Sequence, residues 1–170
     1  DKLILGASAM ELIHNASLIH DDIVDNDMFR RGSETLNNIY GSKLAVLVGD
    51  ALFARALTII ISKFSKDITS KIIVMVKQMS SIELKQLTQK KDLTSKENYF
   101  DLIKQKTGIL MSCSCMLGAM ITCEESRSIS KAEQFGLYFG IVYQLMDDYI
   151  DGAPILFESG EFEEVGKYAR

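Results

Sequence analysis

The sequence predicts an all-α protein, a bundle of long helices. Apolar residues recur at helical spacing through nearly all of the 170 residues, and no stretch shows the strict alternation typical of a half-buried strand. The chain contains one proline, the residue that helix interiors tolerate least. Hydrophobic residues make up 47% of it, which is enough for one domain with a sizeable core.

The helices follow in order from these patterns. The first begins near Leu3 and runs into a cluster of aspartates, and residues 26–42, rich in turn formers, are predicted to form a loop. The second and third helices are predicted near residues 43–64 and 67–89. Two capping boxes, in which a hydroxyl and a glutamate three residues later satisfy each other's backbone donors, open the last two helices. These are Thr94 with Glu97 and Ser130 with Glu133, and the two helices are predicted to end near Ile121 and Asp151.

Charge and cysteine content exclude several classes of function. The formal net charge of −4 argues against a nucleic-acid surface, so an anionic ligand would have to be recruited through cations. Three cysteines, an odd number without framework spacing, indicate a reducing compartment, the cytoplasm or the interior of an organelle. The longest apolar run, residues 107–123, is short for a membrane span and contains hydroxyl side chains. We expect it to be a buried core helix of a soluble protein with no transmembrane segment.

The first acidic cluster is DDIVD, with Asp21, Asp22 and Asp25. Positions four apart lie on one face of a helix, so Asp21 and Asp25 should project side by side. Like charges there destabilise the helix unless a cation binds them, and Mg²⁺ prefers such oxygen ligands together with phosphates and water. Taken alone, the pattern would more simply be a solvated acidic face.

The same spacing occurs a second time, which changes the interpretation. Asp147, Asp148 and Asp151 end another apolar helix in YQLMDDYID. Two apolar helices that both end in this carboxylate triad are poorly explained as surface decoration. If they face one another across a bundle, they would bind several metal ions and, through them, a phosphorylated ligand.

Basic residues near these clusters suit a phosphorylated ligand. Arg30 and Arg31 follow the first cluster, and the planar arginine side chain binds phosphate through two hydrogen bonds. Lys106, followed by Thr107 and Gly108, adds a positive charge in a helix that the glycine should loosen. By itself, such a lysine would more often lie at the surface with its stem packed on apolar neighbours.

Together these motifs resemble the trans-isoprenyl diphosphate synthases. DDIVD followed by RRG, GDALF at 49–53, KTG at 106–108 and FGIVYQLMDDYID at 139–151 occur in the order typical of that family. The resemblance implies the isoprenoid synthase fold, with mostly antiparallel helices around a central cavity. It also implies a prenyltransferase that condenses isopentenyl diphosphate head-to-tail onto an allylic diphosphate and releases a longer all-trans prenyl diphosphate.

The resemblance implies roles for individual residues. The two aspartate motifs would hold several magnesium ions through Asp21, Asp22, Asp25, Asp147, Asp148 and Asp151. Of these, all but Asp151 count as catalytic, together with Lys106. Substrate diphosphates would be bound by Arg30 (allylic), Arg31 (isopentenyl), Lys106, Thr107 and Gln144. Structural roles are expected for His20, Asp50, Glu83 and Gln86.

The residues one turn before the first motif bear on product length. Ala16 and Ser17 are small, whereas an aromatic side chain there would block a descending hydrocarbon. We therefore expect a product longer than farnesyl and geranylgeranyl diphosphate. The simpler interpretation is that small residues permit close helix packing. Met75 and Met79 are candidates for the floor of the tunnel.

Residues 1–170 are expected to form a single helical domain and to be an incomplete piece of a longer protein. The family's N-terminal helices, with Gly-Lys and Arg-Pro motifs, and its basic loop after Asp151 are missing from the sequence. Alternatives are a short-chain synthase, a terpene cyclase, or a non-catalytic subunit of a heteromeric prenyltransferase. The family also implies a homodimer, for which the second and third helices offer apolar faces, and peripheral membrane contact when the lipid product is released.

Overall fold

The computed structural model describes residues 1–88, 96–122 and 125–150, and these residues are almost entirely helical. The predicted all-α class is confirmed. The elements in chain order are α1 (Lys2–Val24), β1 (Phe29–Arg30), β2 (Ser33–Glu34), α2 (Leu36–Tyr40), α3 (Ser42–Lys63), α4 (Lys66–Thr88), α5 (Lys96–Ile103), a π-helical turn (Lys104–Gly108), α6 (Ile109–Thr122) and α7 (Ser126–Ile150). They form two compact units, which divide between Thr69 and Ser70.

In the first unit, α1 packs along α3 through small side chains. Ala9 and Ala16 are fully buried on α1, and Ala45 and Ala56 are fully buried on α3. Near the acidic end of α1, Gly49 lies so close to the His20 ring that a Cβ there would overlap it. The small residues therefore let the two helices approach closely and fix where the first aspartate motif emerges.

Residues 26–42 are more ordered than the predicted loop. Phe29 pairs with Glu34 and Arg30 with Ser33 in an antiparallel hairpin, and the two residues between the strands both have positive φ. Those angles, 51° at Arg31 and 80° at Gly32, are the pattern of a tight two-residue hairpin turn. The expectation of no strand was wrong here, because strands of two residues are too short for alternation to show.

In the second unit, α6 and α7 approach to backbone contact. A Cβ added at Gly136 would overlap the carbonyl of Met111, and one at Gly140 would lie 2.8 Å from the Cα of Gly108. Such contacts exclude any side chain at these two α7 positions. The glycines therefore position the helix that carries the second aspartate motif against the π-helical turn.

The predicted start of α7 was wrong. The helix begins at Ser126, one turn before Ser130, because the Glu125 carbonyl already accepts hydrogen bonds from the amides of Ser128 and Ile129. The Glu125 carboxylate also accepts one from the Ser128 hydroxyl, at 2.6 Å. The other capping box depends on Thr94, which lies outside the described residues.

Within the described part of the chain, α3 is the helix long and apolar enough to cross a bilayer, judged by length and composition alone. Its most apolar window has a mean hydropathy of 2.1, whereas α6, the apolar run singled out from the sequence, is 14 residues long. The core helix of a soluble protein passes the same test. One side of α3 packs against α1, so the helix already has a place in the fold.

We expect Gly136→Ala to lower the free energy of unfolding by about 1–3 kcal/mol, because the new methyl group meets a backbone carbonyl that cannot rotate away. Gly118→Ala is the matched control in α6, where an added Cβ has no neighbour within 4 Å. The control should be neutral or stabilising by up to about 1 kcal/mol, since alanine favours the helix. Urea unfolding measures both, and equal stabilities would contradict the close approach of α6 and α7.

Candidate active site

The first aspartate motif lies at the C-terminal end of α1. Asp25 caps the helix with helical angles, φ −83° and ψ −8°, and its amide donates to the Asp21 carbonyl at 2.8 Å. Asp21 and Asp25 therefore lie one turn apart on the same face, as predicted. The C-terminal end of a helix carries partial negative charge, and no basic residue lies in the last turn of α1. Carboxylates gathered there are destabilising until a cation neutralises them.

Asp22 has a different environment from the other two aspartates of this motif. It is 6% exposed, and its Oδ1 accepts a hydrogen bond from Arg30 Nε at 2.5 Å. The Nη2 of Arg30 also lies 3.9 Å from Asp27 Oδ2. The structure thus pairs the predicted diphosphate-binding arginine with an aspartate of the motif itself. A metal-binding role for Asp22 stays a prediction.

The hairpin and α2 hold this end of the motif through two residues that sequence reasoning missed. The Asn37 side-chain amide donates to the carbonyls of Asp22, at 3.2 Å, and Asp27, at 3.0 Å. The hydroxyl of the buried Thr35 donates to the same Asp27 carbonyl at 2.7 Å. These bonds join residues far apart in sequence, and only their place in a loop rich in turn formers hinted at a structural role.

Asp147 and Asp148 of the second motif lie in the last described turn of α7, which contains no basic residue. Asp147 is exposed, and Asp148 is half-buried. Asp148 Oδ1 accepts a hydrogen bond from Gln144 Nε2 at 2.8 Å, and Gln144 Oε1 accepts one from the Thr107 hydroxyl at 2.5 Å. Three of the predicted site residues are therefore joined in one chain of hydrogen bonds. Asp151 lies outside the described residues.

Tyr99, which the sequence analysis did not single out, completes this chain. It is 5% exposed, and its hydroxyl donates to Asp148 Oδ2. Burial, followed by the hydrogen bond and the negative charge of Asp148, raises the pKa of Tyr99 well above its ordinary value. The hydroxyl therefore keeps its proton and acts as the donor. Because the two residues are far apart in sequence, no local pattern predicts the contact.

The KTG segment forms the π-helical turn Lys104–Gly108 between α5 and α6. The helix leaves α-helical geometry at the place where Gly108 was expected to loosen it. Lys106 and Thr107 are half-buried within the turn, and Gly108 is buried against Leu137 and Gly140 of α7. Single π-helical turns inside longer helices occur often at functional sites.

His20, for which a structural role was expected, lies between α1 and α3. Its Nε2 lies 3.4 Å from the Val46 carbonyl oxygen and 3.5 Å from Asp50 Oδ1, and its ring centroid is 5.8 Å from that of Phe53. Asp50 and Phe53 of the GDALF segment therefore contact the histidine that precedes the first motif. The contact of Asp50 with His20 agrees with the structural role expected for this aspartate.

The two candidate length-determining residues are placed differently. Ala16 is fully buried one turn before His20, on the side of α1 that meets α3. Ser17 is half-buried, and its hydroxyl donates to the His14 carbonyl at 2.8 Å. The burial of Ala16 favours the simpler interpretation, close helix packing, and its role in product length stays a prediction.

The second unit contains a cavity of about 450 Å³ between α4, α6 and α7. Its apolar wall includes Val74, Met75, Ile109, Met116 and Leu137, with Leu137 reaching the buried Gly108. Met75 was a candidate for the tunnel floor. The volume lies in the range of small-molecule sites in proteins, about 300–1,000 Å³.

The remaining predicted site residues have these positions. Arg31 is exposed at the hairpin turn. Glu83 is half-buried on α4, and the side chain of Gln86 lies outside the described residues. No group of three or more acidic, histidine or cysteine side chains that could hold a metal ion occurs in the part of the chain the structure describes. Mg²⁺ typically uses one or two carboxylates plus substrate phosphates, so paired carboxylates suit it without a complete protein cage.

An all-α scaffold with paired aspartates in the last described turns of α1 and α7, and with KTG in a π-helical turn, has the features of the isoprenoid-synthase class of fold. The chain belongs to the polyprenyl synthetase family, whose model matches residues 1–158. The geranylgeranyl diphosphate synthase of Saccharolobus solfataricus is 35% identical over 95% of this chain and 49% of that protein. The decaprenyl-diphosphate synthase of Dictyostelium discoideum is 33% identical over 95% of this chain and 34% of its own length.

A solved structure shows the same fold. The polyprenyl synthase of Caulobacter crescentus CB15, complexed with calcium and isoprenyl diphosphate, matches with a TM-score of 0.81 and 33% identity. The match covers 86% of this chain and 45% of that one. The chain thus spans half or less of the length of these relatives.

Asp22 and Asp25 should respond differently to neutralisation. We expect Asp22→Asn to lower the free energy of unfolding by about 1.5–3 kcal/mol, because Arg30 loses a charged hydrogen-bond partner in a buried setting. Asp25→Asn, at an exposed helix end, should change it by less than about 0.5 kcal/mol. Guanidinium unfolding without metal measures both. A larger loss at Asp25 would contradict the structural role of Asp22.

Proposed function

We propose that this protein is a trans-polyprenyl diphosphate synthase that condenses isopentenyl diphosphate head-to-tail onto a geranyl, farnesyl or geranylgeranyl diphosphate. The observation that carries the proposal is the placement of Asp21 and Asp25 at the end of α1 and of Asp147 and Asp148 in the last described turn of α7, since neither turn contains a basic residue of its own that would offset their charge. The family and its relatives, named as prenyl diphosphate synthases, support it. The calcium and isoprenyl diphosphate in the Caulobacter structure support the choice of ligands.

The proposed cofactor is Mg²⁺, several ions per site, held by Asp21 and Asp25 of the first motif and Asp147 and Asp148 of the second. When bound, the metal ions neutralise the diphosphate and make it a better leaving group. The chain offers carboxylate oxygens at both places, which is the donor chemistry that this cation prefers.

Around the metal ions, the protein's own cations bind the diphosphates. Arg30 uses its Nε on Asp22, and its Nη2 lies 3.9 Å from Asp27 Oδ2, beyond hydrogen-bonding distance, so the two Nη groups are the proposed phosphate donors. Arg31 projects from the same hairpin turn as a second phosphate ligand. Lys106 supplies positive charge from the π-helical turn, and Thr107 orients Gln144 beside Asp148.

The hydrocarbon chain of the substrate is proposed to enter the apolar part of the 450 Å³ cavity. This apolar part of the cavity lies close to the Thr107 end of the hydrogen-bond chain. Two of its lining residues show this: Ile109 follows Thr107 by two residues, and Leu137 contacts Gly108. Relatives named for geranylgeranyl and for decaprenyl products are about equally similar to this chain. We propose a product longer than geranylgeranyl diphosphate, on the ground that Ser17 leaves room beside the first motif.

We propose a homodimer located in the cytoplasm. The exposed apolar residues of α3 support an interface between copies, since large apolar surfaces are usually covered by a partner; they are Leu44, Val46, Leu47 and Ile61. The cysteine content supports a reducing compartment. Peripheral membrane contact would follow from the release of a lipid product.

The full-length protein, incubated with farnesyl diphosphate, labelled isopentenyl diphosphate and Mg²⁺, should produce a ladder of prenyl products. EDTA should abolish it, and Asp21→Ala should slow it by about 100-fold or more, because charge stabilisation of the leaving group is lost. The exposed Asp101→Ala is the matched control and should leave the rate unchanged. Cyclic hydrocarbon without elongation would indicate a terpene cyclase, and no product at all would indicate a non-catalytic subunit.

Ser17→Phe should shorten the longest product, because the aromatic ring occupies the space beside the first motif. Ser17→Ala is the volume control: it removes the hydrogen bond to the His14 carbonyl but adds no bulk. Chromatographic sizing of the extracted lipids compares the two. Unchanged product length in Ser17→Phe would remove Ser17 as a length determinant. Ala16→Phe is a poorer test, because overpacking between α1 and α3 would destabilise the fold.

A further inference from the structure

The hydrogen bonds around Asp148 all point toward its carboxylate. Thr107 donates to Gln144, Gln144 donates to Oδ1, and Tyr99 donates to Oδ2. Each carboxylate oxygen thus has one protein donor and keeps a second lone pair. Two donors on different helices, α5 and α7, fix the plane of the carboxylate as well as its position.

Tyr99 on α5 orients the Asp148 carboxylate in a way that Gln144, on the same helix as Asp148, does not. Gln144 lies one turn before Asp148 on the same helix, so it alone would allow the carboxylate to rotate about its own χ angles. Tyr99 approaches from a separate element and is anchored by packing: its ring lies edge-on to Phe100, at 5.9 Å between centroids, and packs with the buried Ile103. A rigid aromatic ring therefore carries the second donor.

The π-helical turn brings Tyr99 and Thr107, the two ends of this hydrogen-bond chain, to the same side of the continuous helix formed by α5, the turn and α6. Thr107 follows Tyr99 by eight residues, which in an uninterrupted α-helix would leave them about 80° apart around the axis. The turn Lys104–Gly108 contains an extra residue, so it takes up part of that rotation. Both side chains can then reach α7, Tyr99 at Asp148 and Thr107 at Gln144.

We propose that Tyr99 is a positioning residue of the second aspartate motif, whose hydroxyl orients the Asp148 carboxylate for a divalent cation. This inference rests on the proposed function for the identity of the site, and it adds a residue outside DDxxD, KTG and the glutamine. Hydrogen-bonding partners of metal ligands commonly set the geometry of the ligand. Their loss weakens metal affinity by about 10–100-fold.

The test substitutes Tyr99→Phe in the full-length protein, which removes the hydroxyl and keeps the ring that packs with Ile103. Mn²⁺ binding with inorganic diphosphate is followed by the electron paramagnetic resonance signal of the free ion, a readout independent of turnover. We expect affinity to fall by about 10-fold or more, within the range for lost ligand orientation. Tyr138→Phe, at an exposed tyrosine of α7, is the matched control and should bind Mn²⁺ as the unaltered protein does.

A double-mutant cycle with Asp148→Asn separates positioning from general packing. If Tyr99 acts through Asp148, Tyr99→Phe should weaken Mn²⁺ binding little further once Asp148 is asparagine. In elongation assays, Tyr99→Phe should raise the Mg²⁺ concentration needed for half-maximal rate, and excess Mg²⁺ should restore most of the rate.

The possible failures are distinguishable. Unchanged Mn²⁺ binding in Tyr99→Phe, with binding lost in Asp148→Asn, would overturn the role of Tyr99 and leave the proposed function intact. Unchanged binding in Asp148→Asn would overturn both the role of Tyr99 and the metal-binding assignment of the second motif. If Tyr99→Phe weakens Mn²⁺ binding by the same factor whether residue 148 is aspartate or asparagine, the tyrosine acts by packing alone. That result would also overturn the proposal.

Discussion

The constraint on which the rest of this structure depends is negative charge at the C-terminal ends of α1 and α7. A helix C-terminus already carries partial negative charge, and both last turns lack a basic residue. In each motif, the second aspartate accepts hydrogen bonds from other side chains of the protein. Arg30 pairs with Asp22, while Tyr99 and Gln144 donate to Asp148. Asp25 and Asp147, by contrast, are exposed.

The first motif depends on a small piece of structure that brings a cation back to it. After α1 the chain turns through a hairpin whose two-residue turn, Arg31 and Gly32, has positive φ at both positions. That reversal returns Arg30 to Asp22, and Asn37 holds the backbone of the intervening turn. Arg30 therefore stabilises the first motif through its Nε, and its Nη groups are the donors that we propose for phosphate.

The second motif depends instead on close backbone contact. Gly136 and Gly140 let α7 lie against the backbone of the π-helical turn and of α6. Only at that distance can the Thr107 hydroxyl reach Gln144, which in turn reaches Asp148. A larger residue at either glycine would separate the helices and break the chain of hydrogen bonds.

The sequence by itself determined the helical class, the helices near 43–64 and 67–89, and both aspartate motifs, because periodicity and motif spacing are local properties. It misplaced the start of α7 and missed the hairpin, where competing local hydrogen bonds decide the outcome. Tertiary structure alone decided which aspartate is buried, that Ala16 faces α3, and that Asn37 and Tyr99 belong to the candidate site. Each of these depends on a partner distant in sequence, which no local pattern encodes.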